Sequence, residues 1–473
     1  NKDHFLKIEK LFDKLKNKQY SLLDFENILN TIEQEAIINN YEFVNVLYDE
    51  TIVENNKINY NIKVTEGKKF FVERINIIGN FNTQEEVIRN LLIVDEGDPY
   101  NKILFNKSLN KIRSTGFFKN VESKIYESSD NSSKIIDIKV EEQPTGEISL
   151  GAGIGTNGTT VGGGIVEKNF LGKGIMLNTN LSVSKSEVKG QLIYSKPNFN
   201  YSDNTLYTSI KNTSTDKLDK FGYKTNIAGL SVGTTFEQYK NFYFSPTIDF
   251  SIETLETNST ASTNLKKQKG DYNDLYLDYS IKYDQRNSPY RTTQGYITNF
   301  YQELPIISDS SELTTSFEMS KYKKLSSSGM IGKISLFNRI VNTISSDDVR
   351  ISRRIQLPPN KLKGFENGKI GPIDGDDYVG GNYASALNFS TTLPQILPTF
   401  QNVDFSYFID IGNVWGIDYS SDIDDSNTIR SSTGIAIDLL TPVGPLNFSL
   451  AQPITKNKTD KTEMFRFNLG TTF

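Results

Sequence analysis

The sequence predicts an α+β N-terminal region of tandem β-α-α-β-β units followed by an all-β transmembrane antiparallel β-barrel. Three observations carry this expectation. Within residues 1–144 a pair of segments recurs about 75 residues further on, the mark of an internal repeat. At Pro144-Thr145-Gly146 the composition changes from Lys, Glu, Ile and Asn to Gly, Ser and Thr. From there on, short stretches alternate apolar with polar residues, and the last of them closes on an aromatic, Phe473.

Composition removes several function classes. Against 57 Asp and Glu stand 52 Lys and Arg, a net charge of −5, which argues against nucleic-acid binding by bulk electrostatics. With no Cys and a single His, His4, this chain alone makes no disulfide, thiol nucleophile, Cys-type zinc site or His-dependent triad. Gly151, Gly153 and Gly162-Gly163-Gly164 read as strand and turn glycines rather than a phosphate loop, because no GxxxxGK[ST] accompanies them. The expectation is a non-enzyme: no catalytic residue, no metal, no cofactor. No run of about 18 apolar residues is present for a helical membrane span, a test that barrels escape. The opening NKDHFLKIEKLFDK lacks the apolar core of a signal peptide, so an exported chain is expected to be missing its N-terminus here.

The repeat sets the N-terminal boundaries at 1–67 and 68–144. Phe43-Val44-Asn45-Val46 returns as Phe118-Lys119-Asn120-Val121, and Ile62-Lys63-Val64 as Ile138-Lys139-Val140. The second unit is complete: a strand from Phe71 to Ile78, a turn at Gly79-Asn80, and a helix from Thr83 with Glu86 placed as in a capping box. A second helix is expected from Asn101 to Ser114 with Ile103, Leu104, Leu109 and Ile112 on its apolar face. Strands Val121–Tyr126 and Ile135–Glu141 follow, separated by Ser128-Ser129-Asp130-Asn131. The counterpart of the opening strand would precede residue 3, so the first unit is expected without it.

Residues 145–473 read as the barrel. Ile175 to Val183 and Leu275 to Tyr283 alternate with period two, one face apolar or aromatic and the other polar. In a membrane barrel the first face meets lipid and the second lines a wet lumen, and the sheet must close because lipid tolerates no open edge. Sixteen strands give about twenty residues per strand and connection; the arithmetic also allows fourteen or eighteen. The final strand puts Phe465, Phe467, Leu469, Thr471 and Phe473 on one face, with Arg466, Asn468, Gly470 and Thr472 on the other.

Five stretches, taken in order, carry a resemblance to a known family. They are Lys168 to Gly174; Tyr283 to Pro289 with Gly295; Leu362-Lys363-Gly364-Phe365 with Ile370-Gly371-Pro372 and Gly380-Gly381; Tyr407 to Trp415; and Thr441 to Leu446. Together with the tandem units, which resemble POTRA domains, they make the chain similar throughout to the BamA family of outer-membrane β-barrel assembly proteins, within the bacterial surface antigen proteins. The resemblance implies that Leu362 to Phe365 sits on a long sixth loop folded back into the barrel, where an Arg of the family reaches acids on the inner wall. Here Lys363 takes the Arg position, Asp410 one acid and Asn388 the other. A point-charge ammonium and an amide replace a guanidinium and a carboxylate, implying a weaker anchor. Gly364 is expected to give backbone freedom and Phe365 a hydrophobic anchor.

The same resemblance implies an insertase that works without nucleotide, through a lateral gate between the first and last barrel strands. Gate residues would be Ile148, Leu150, Gly151, Gly153 and Ile154 facing a strand from Glu463 to Phe473 that includes Phe467, Leu469, Gly470 and Phe473. Implied partners are unfolded outer-membrane proteins with a C-terminal strand signal, accessory assembly lipoproteins docking on the POTRA domains, periplasmic chaperones and the lipid bilayer, with no nucleic acid. The implied location is the bacterial outer membrane with the POTRA domains in the periplasm. The alternative is a two-partner-secretion transporter, a polypeptide pore; a third reading, a passive porin, leaves the N-terminal units without a purpose.

Overall fold

The computed structural model describes residues 31–32, 44–53, 57–66 and 70–469, apart from 130–131, 157, 203, 289–291, 327–328, 346–347, 394–402, 421–422, 424–427 and 442–443. Contacts divide the chain into two compact units: residues 1–145 with 171–174, and residues 146–170 with 175–473.

In the first unit, β1 (Val44–Val53) and β2 (Lys57–Glu66) form an antiparallel hairpin. Most of what precedes them lies outside the described residues. Next come β3 (Phe71–Ile78), α1 (Glu85–Arg89), α2 (Lys102–Ser114), β4 (Phe118–Glu127) and β5 (Ser133–Glu142), the expected β-α-α-β-β order. The sheet order is β3-β5-β4, with β5 parallel to β3 and antiparallel to β4. Period-two burial of Ile136, Ile138 and Val140 on β5 gives the sheet one apolar face. Onto it pack Ile88 of α1 and Phe105, Leu109 and Ile112 of α2, at helical spacing.

Two local expectations shift. The apolar stripe of α2 runs through Phe105, with Leu104 at its margin. The first helix starts at Glu85 with Gln84 as its N-cap, one residue beyond the Thr83 cap expected, and the Gln84 side chain makes no capping bond. The reason is a competing acceptor: Glu142 takes the backbone N–H groups of Asn82 and Thr83, holding that turn to the end of β5. Asn101 does cap α2, its Oδ1 accepting from the Leu104 N–H at 3.1 Å.

The second unit is a barrel of sixteen strands, antiparallel throughout. In chain order they are β6 (Gly146–Gly155), β7 (Gly158–Phe170), β8 (Ile175–Ser184), β9 (Glu187–Lys196), β10 (Thr205–Lys217), β11 (Tyr223–Tyr239), β12 (Phe242–Thr257), β13 (Gly270–Asp284), β14 (Gly295–Ser308), β15 (Glu312–Lys324) and β16 (Ile331–Thr343). After a long loop, 344–382, which contains the small hairpin β17 (Ile373–Asp374) and β18 (Asp377–Tyr378), the wall resumes with β19 (Tyr383–Thr392), β20 (Val403–Trp415), β21 (Arg430–Thr441), β22 (Gly444–Thr455) and β23 (Phe465–Leu469).

Burial in the wall is inverted relative to a soluble sheet. On β12, Ile248, Phe250 and Ile252 are exposed while the alternating Asp249, Ser251 and Glu253 are buried; on β11, Leu230 and Val232 are exposed around a buried Ser231. Apolar side chains out and polar ones in is the arrangement of a lipid-facing wall around a polar lumen. Across β11 to β14, Phe236, Phe244, Tyr279 and Phe300 form a chain of ring contacts, with Phe242, Tyr283 and Tyr296 in a neighbouring one. Such aromatic belts suit the membrane interface.

Candidate functional site: the lumen loop and the barrel seam

The loop 344–382 crosses the inside of the barrel and is held there by charge and by apolar packing. Lys363 Nζ lies 2.9 Å from Asp410 Oδ2, and the Lys363 backbone N–H donates to the same oxygen at 3.1 Å. Asp410, on β20, is fully buried, and the ammonium also sits 4.0 Å from the centroid of the Phe408 ring. Asn388, opposite Asp410 in the β19–β20 register, donates its amide to Asp410 Oδ1 at 2.8 Å and to Lys361 O at 2.7 Å.

The charges of this site therefore balance. One ammonium faces one carboxylate, and an amide donates to Asp410 where a second carboxylate would repel it. Next to this pair Gly364 takes a positive φ of 90°, with Ala451 and Ser432 packed where a side chain would begin. Leu362 and Phe365 are buried in a cluster with Phe337, Leu357, Ile370 and Val414.

A second anchor grips other strands of the wall. Arg350, 1% exposed, reaches Glu253 on β12 at 3.1 Å, Asp274 on β13 at 2.6 Å and Glu312 on β15 at 2.9 Å. Its guanidinium stacks over Tyr272, while Arg353 sits over Tyr276 and reaches Glu303 on β14. Arg354 pairs with Asp418, just beyond β20, and donates to Asn382. Burial pushes the Asp418 carboxyl up, but Arg354 beside it and donors from Val349 and Asn382 hold it below the usual range. Beside the loop remains a cavity of about 530 Å³ lined by charged groups of both signs, Lys211, Asp249 and Arg339 among them.

The seam joins β23 to β6. Among the described residues it has two register pairs, Asn468 with Gly155 and Leu469 with Ile154, plus a bond from the Thr156 N–H to Phe467 O. On its other edge β6 pairs with β7 over ten residues, Gly151 facing Gly162 and Gly153 facing Thr160. Ile148 and Leu150 are 78% and 86% exposed. Of the expected gate residues, only Ile154 and Leu469 face each other; Phe467 pairs with Phe448 on β22; Gly470 and Phe473 lie outside the described residues. Glu463 precedes the strand, its N–H bonded to Gly364 O on the loop.

Residues 169–473, most of this barrel, match the model of the Omp85 superfamily domain. The chain belongs to the Omp85 superfamily. Residues 70–143 of this Omp85 chain match the POTRA family, described as a surface antigen variable number repeat. Its fold is similar to the crystal structure of BamA from Haemophilus ducreyi lacking POTRA domains 1–3, with a TM-score of 0.82, 23% identity, and 99% and 98% of the two chains covered. CdiB from Acinetobacter baumannii is less similar, with a TM-score of 0.55, 12% identity, and 99% and 87% covered. Among curated relatives, the outer membrane protein assembly factor BamA of Neorickettsia risticii is 24% identical over 445 residues, covering 91% of this chain and 59% of that protein. BamA of Neisseria meningitidis is 23% identical over 539 residues, covering 98% and 64%. The Omp85 chain thus spans less than two thirds of the length of these relatives.

Sequence reasoning about this Omp85 chain did not find the Arg350 anchor. The usable signal was there: three arginines, Arg350, Arg353 and Arg354, crowd one loop, and inward positions of β12 carry Asp249 and Glu253. Their meeting depends on how far the loop reaches across the lumen, which no local pattern encodes.

Proposed function

We propose that this Omp85 chain folds and inserts β-barrel proteins into a bacterial outer membrane, without nucleotide, through a lateral gate between β6 and β23, with its POTRA units in the periplasm receiving unfolded substrates and docking accessory proteins. The observation that carries the reading is the seam, two register pairs against ten on the other edge of β6 among the described residues. Among the described residues this edge holds fewer backbone hydrogen bonds than its neighbours, each worth about 1 kcal/mol net, which favours it as the place where the wall parts. A parted strand edge is a template on which an incoming strand adds by β-augmentation. The glycines of β6 and β7 reduce side-chain packing along that edge. The likeness to BamA assembly factors supports the same reading.

The test is reconstitution in liposomes with a urea-unfolded outer-membrane barrel as substrate, its folding followed by heat-modifiable gel mobility. Folding faster than in protein-free liposomes, and lost when Ile154→Cys and Leu469→Cys are joined by a disulfide, is the expected result. Acceleration that persists with the seam fully crosslinked would remove the gate. No acceleration together with a large polypeptide conductance would move the reading to a secretion pore, for which the lumen loop and its buried ion pairs would first have to leave.

A further inference from the structure

Among the described residues, the segment leading into β23 is bound to the lumen loop more extensively than to β6. Arg466 donates from Nη1 to Pro359 O at 3.0 Å and from Nη2 to Phe365 O at 2.7 Å, both carbonyls belonging to the loop. Glu463 fixes the fork, accepting from Nε at 2.8 Å and Nη2 at 2.6 Å. The backbone continues the join: Glu463 N–H to Gly364 O, Glu366 N–H to Lys461 O, Lys461 N–H to Lys369 O, and a bridge between Phe365 and Thr462. Tyr378 adds its hydroxyl to Thr459 O at 2.6 Å. These bonds flank Lys363, which Asp410 holds to the wall.

We infer that Arg466 is a positioning residue that locks the terminal strand to the lumen loop and so sets the register in which that strand meets the first strand. The two pairs of the seam among the described residues do little to choose a register, since a slip of two residues keeps the same faces in place. A planar guanidinium bonded to two carbonyls six residues apart in the loop, and oriented by a carboxylate, fixes position along the strand in a way that one ammonium cannot. The loop and the strand are then held together as one bonded piece. This deepens the gate reading and rests on it for significance, but it is tested without any substrate, so its failure and the failure of the assembly reading are separable.

The chain has no Cys, so disulfide mapping is clean. In the full chain in liposomes, Ile154→Cys is paired with Leu469→Cys, the observed register, or with Phe467→Cys, one slip of two residues, and the two crosslinking rates are compared within the heat-modifiable, folded fraction. Arg466→Ala is expected to lower the preference for the 469 pair at least about fivefold, the loss of one or two charge-assisted bonds. Glu463→Gln should give a partial loss and Arg466→Lys should fail to restore the preference. Should Arg466→Ala not fold, Glu463→Gln and Arg466→Lys carry the test. An unchanged preference in the folded variants overturns the inference, as does an equal loss from Arg339→Ala, a lumen arginine on β16, which would mean a general charge effect.

Discussion

Arg350 meets Glu312 through two nitrogens, Nε 2.9 Å from Oε1 and Nη2 3.1 Å from Oε2, while the same Nη2 lies 2.6 Å from Asp274 Oδ2. One cation at the base of the lumen loop therefore serves acids on separate strands. Arg350→Ala strands Glu253, Asp274 and Glu312 in a buried site, and the expected cost is about 3–5 kcal/mol. Lys in its place recovers only part, lacking the fork. The checks are the temperature at which the folded gel form is lost, which should fall, and the rate of protease nicking within 344–382, which should rise, each more for Ala than for Lys.

Asn388 and Asp410 give a second, more discriminating prediction. Asn388→Asp places a second carboxylate against Asp410 with only Lys363 to neutralise the two, so loop release should increase. Lys363→Arg added to it supplies a bidentate partner and should recover the loss, with a coupling of about 1 kcal/mol or more in the double-mutant cycle. Because Lys363 is 23% exposed, the single Lys363→Ala change is expected to cost less than removal of Arg350. Strict additivity of the two changes would count against direct interaction among the three groups.

Gly295 opens β14 at a φ of 104°, and a Cβ there would lie 2.1 Å from Gln285 O. Gly295→Ala must displace the turn that follows β13, where Arg286 holds Asp284 through Nε at 2.9 Å and Nη2 at 2.8 Å. A loss of about 2 kcal/mol or more is expected from strain and clash together. Gly375, also at positive φ but with open space around it, should tolerate Ala better; equal melting of the two variants would refute the steric account.

In the POTRA unit, burial raises the Glu142 carboxyl, but the Thr83 hydroxyl and N–H and the Asn82 donors more than offset it, leaving its pKa below the usual range. A depressed folded-state pKa means stability that is present above the unfolded-state pKa and lost as pH falls through the folded one. Amide exchange at Asn82 and Thr83, corrected for intrinsic pH dependence, should accelerate below the ordinary glutamate range, and Glu142→Gln should abolish that acid-specific acceleration. An identical pH profile in the Gln variant would refute the linkage.

Much of the architecture was legible because barrel strands and POTRA elements announce themselves locally. Period-two runs such as Leu275 to Tyr283, turn glycines such as Gly295 and the β-α-α-β-β order of residues 68–144 need no knowledge of distant contacts. Lys363, Asp410 and Asn388 were reached through resemblance, and the structure brings them within hydrogen-bonding distance. The Arg350 anchor and the Arg466 fork were illegible for a shared reason: both join residues more than thirty positions apart across a lumen whose loop path is set by the closed barrel. The start of α1 was misplaced for a related one, since Glu142, nearly sixty residues away, takes the donors of the preceding turn.

The reach of the lumen loop has a mechanical consequence. Its ion pairs end on β12, β13, β14, β15 and β20, and among the described residues none ends on β6 to β9. Cross-braced on one side and unbraced on the other, the cylinder has a stiffer flank and a more compliant one, and the glycine-rich β6 and β7 lie in the second. Strain imposed from the surrounding bilayer, by thickness or lateral pressure, would then concentrate in β6 to β9 instead of spreading around the circumference, making lipid composition a direct control on how readily that flank deforms.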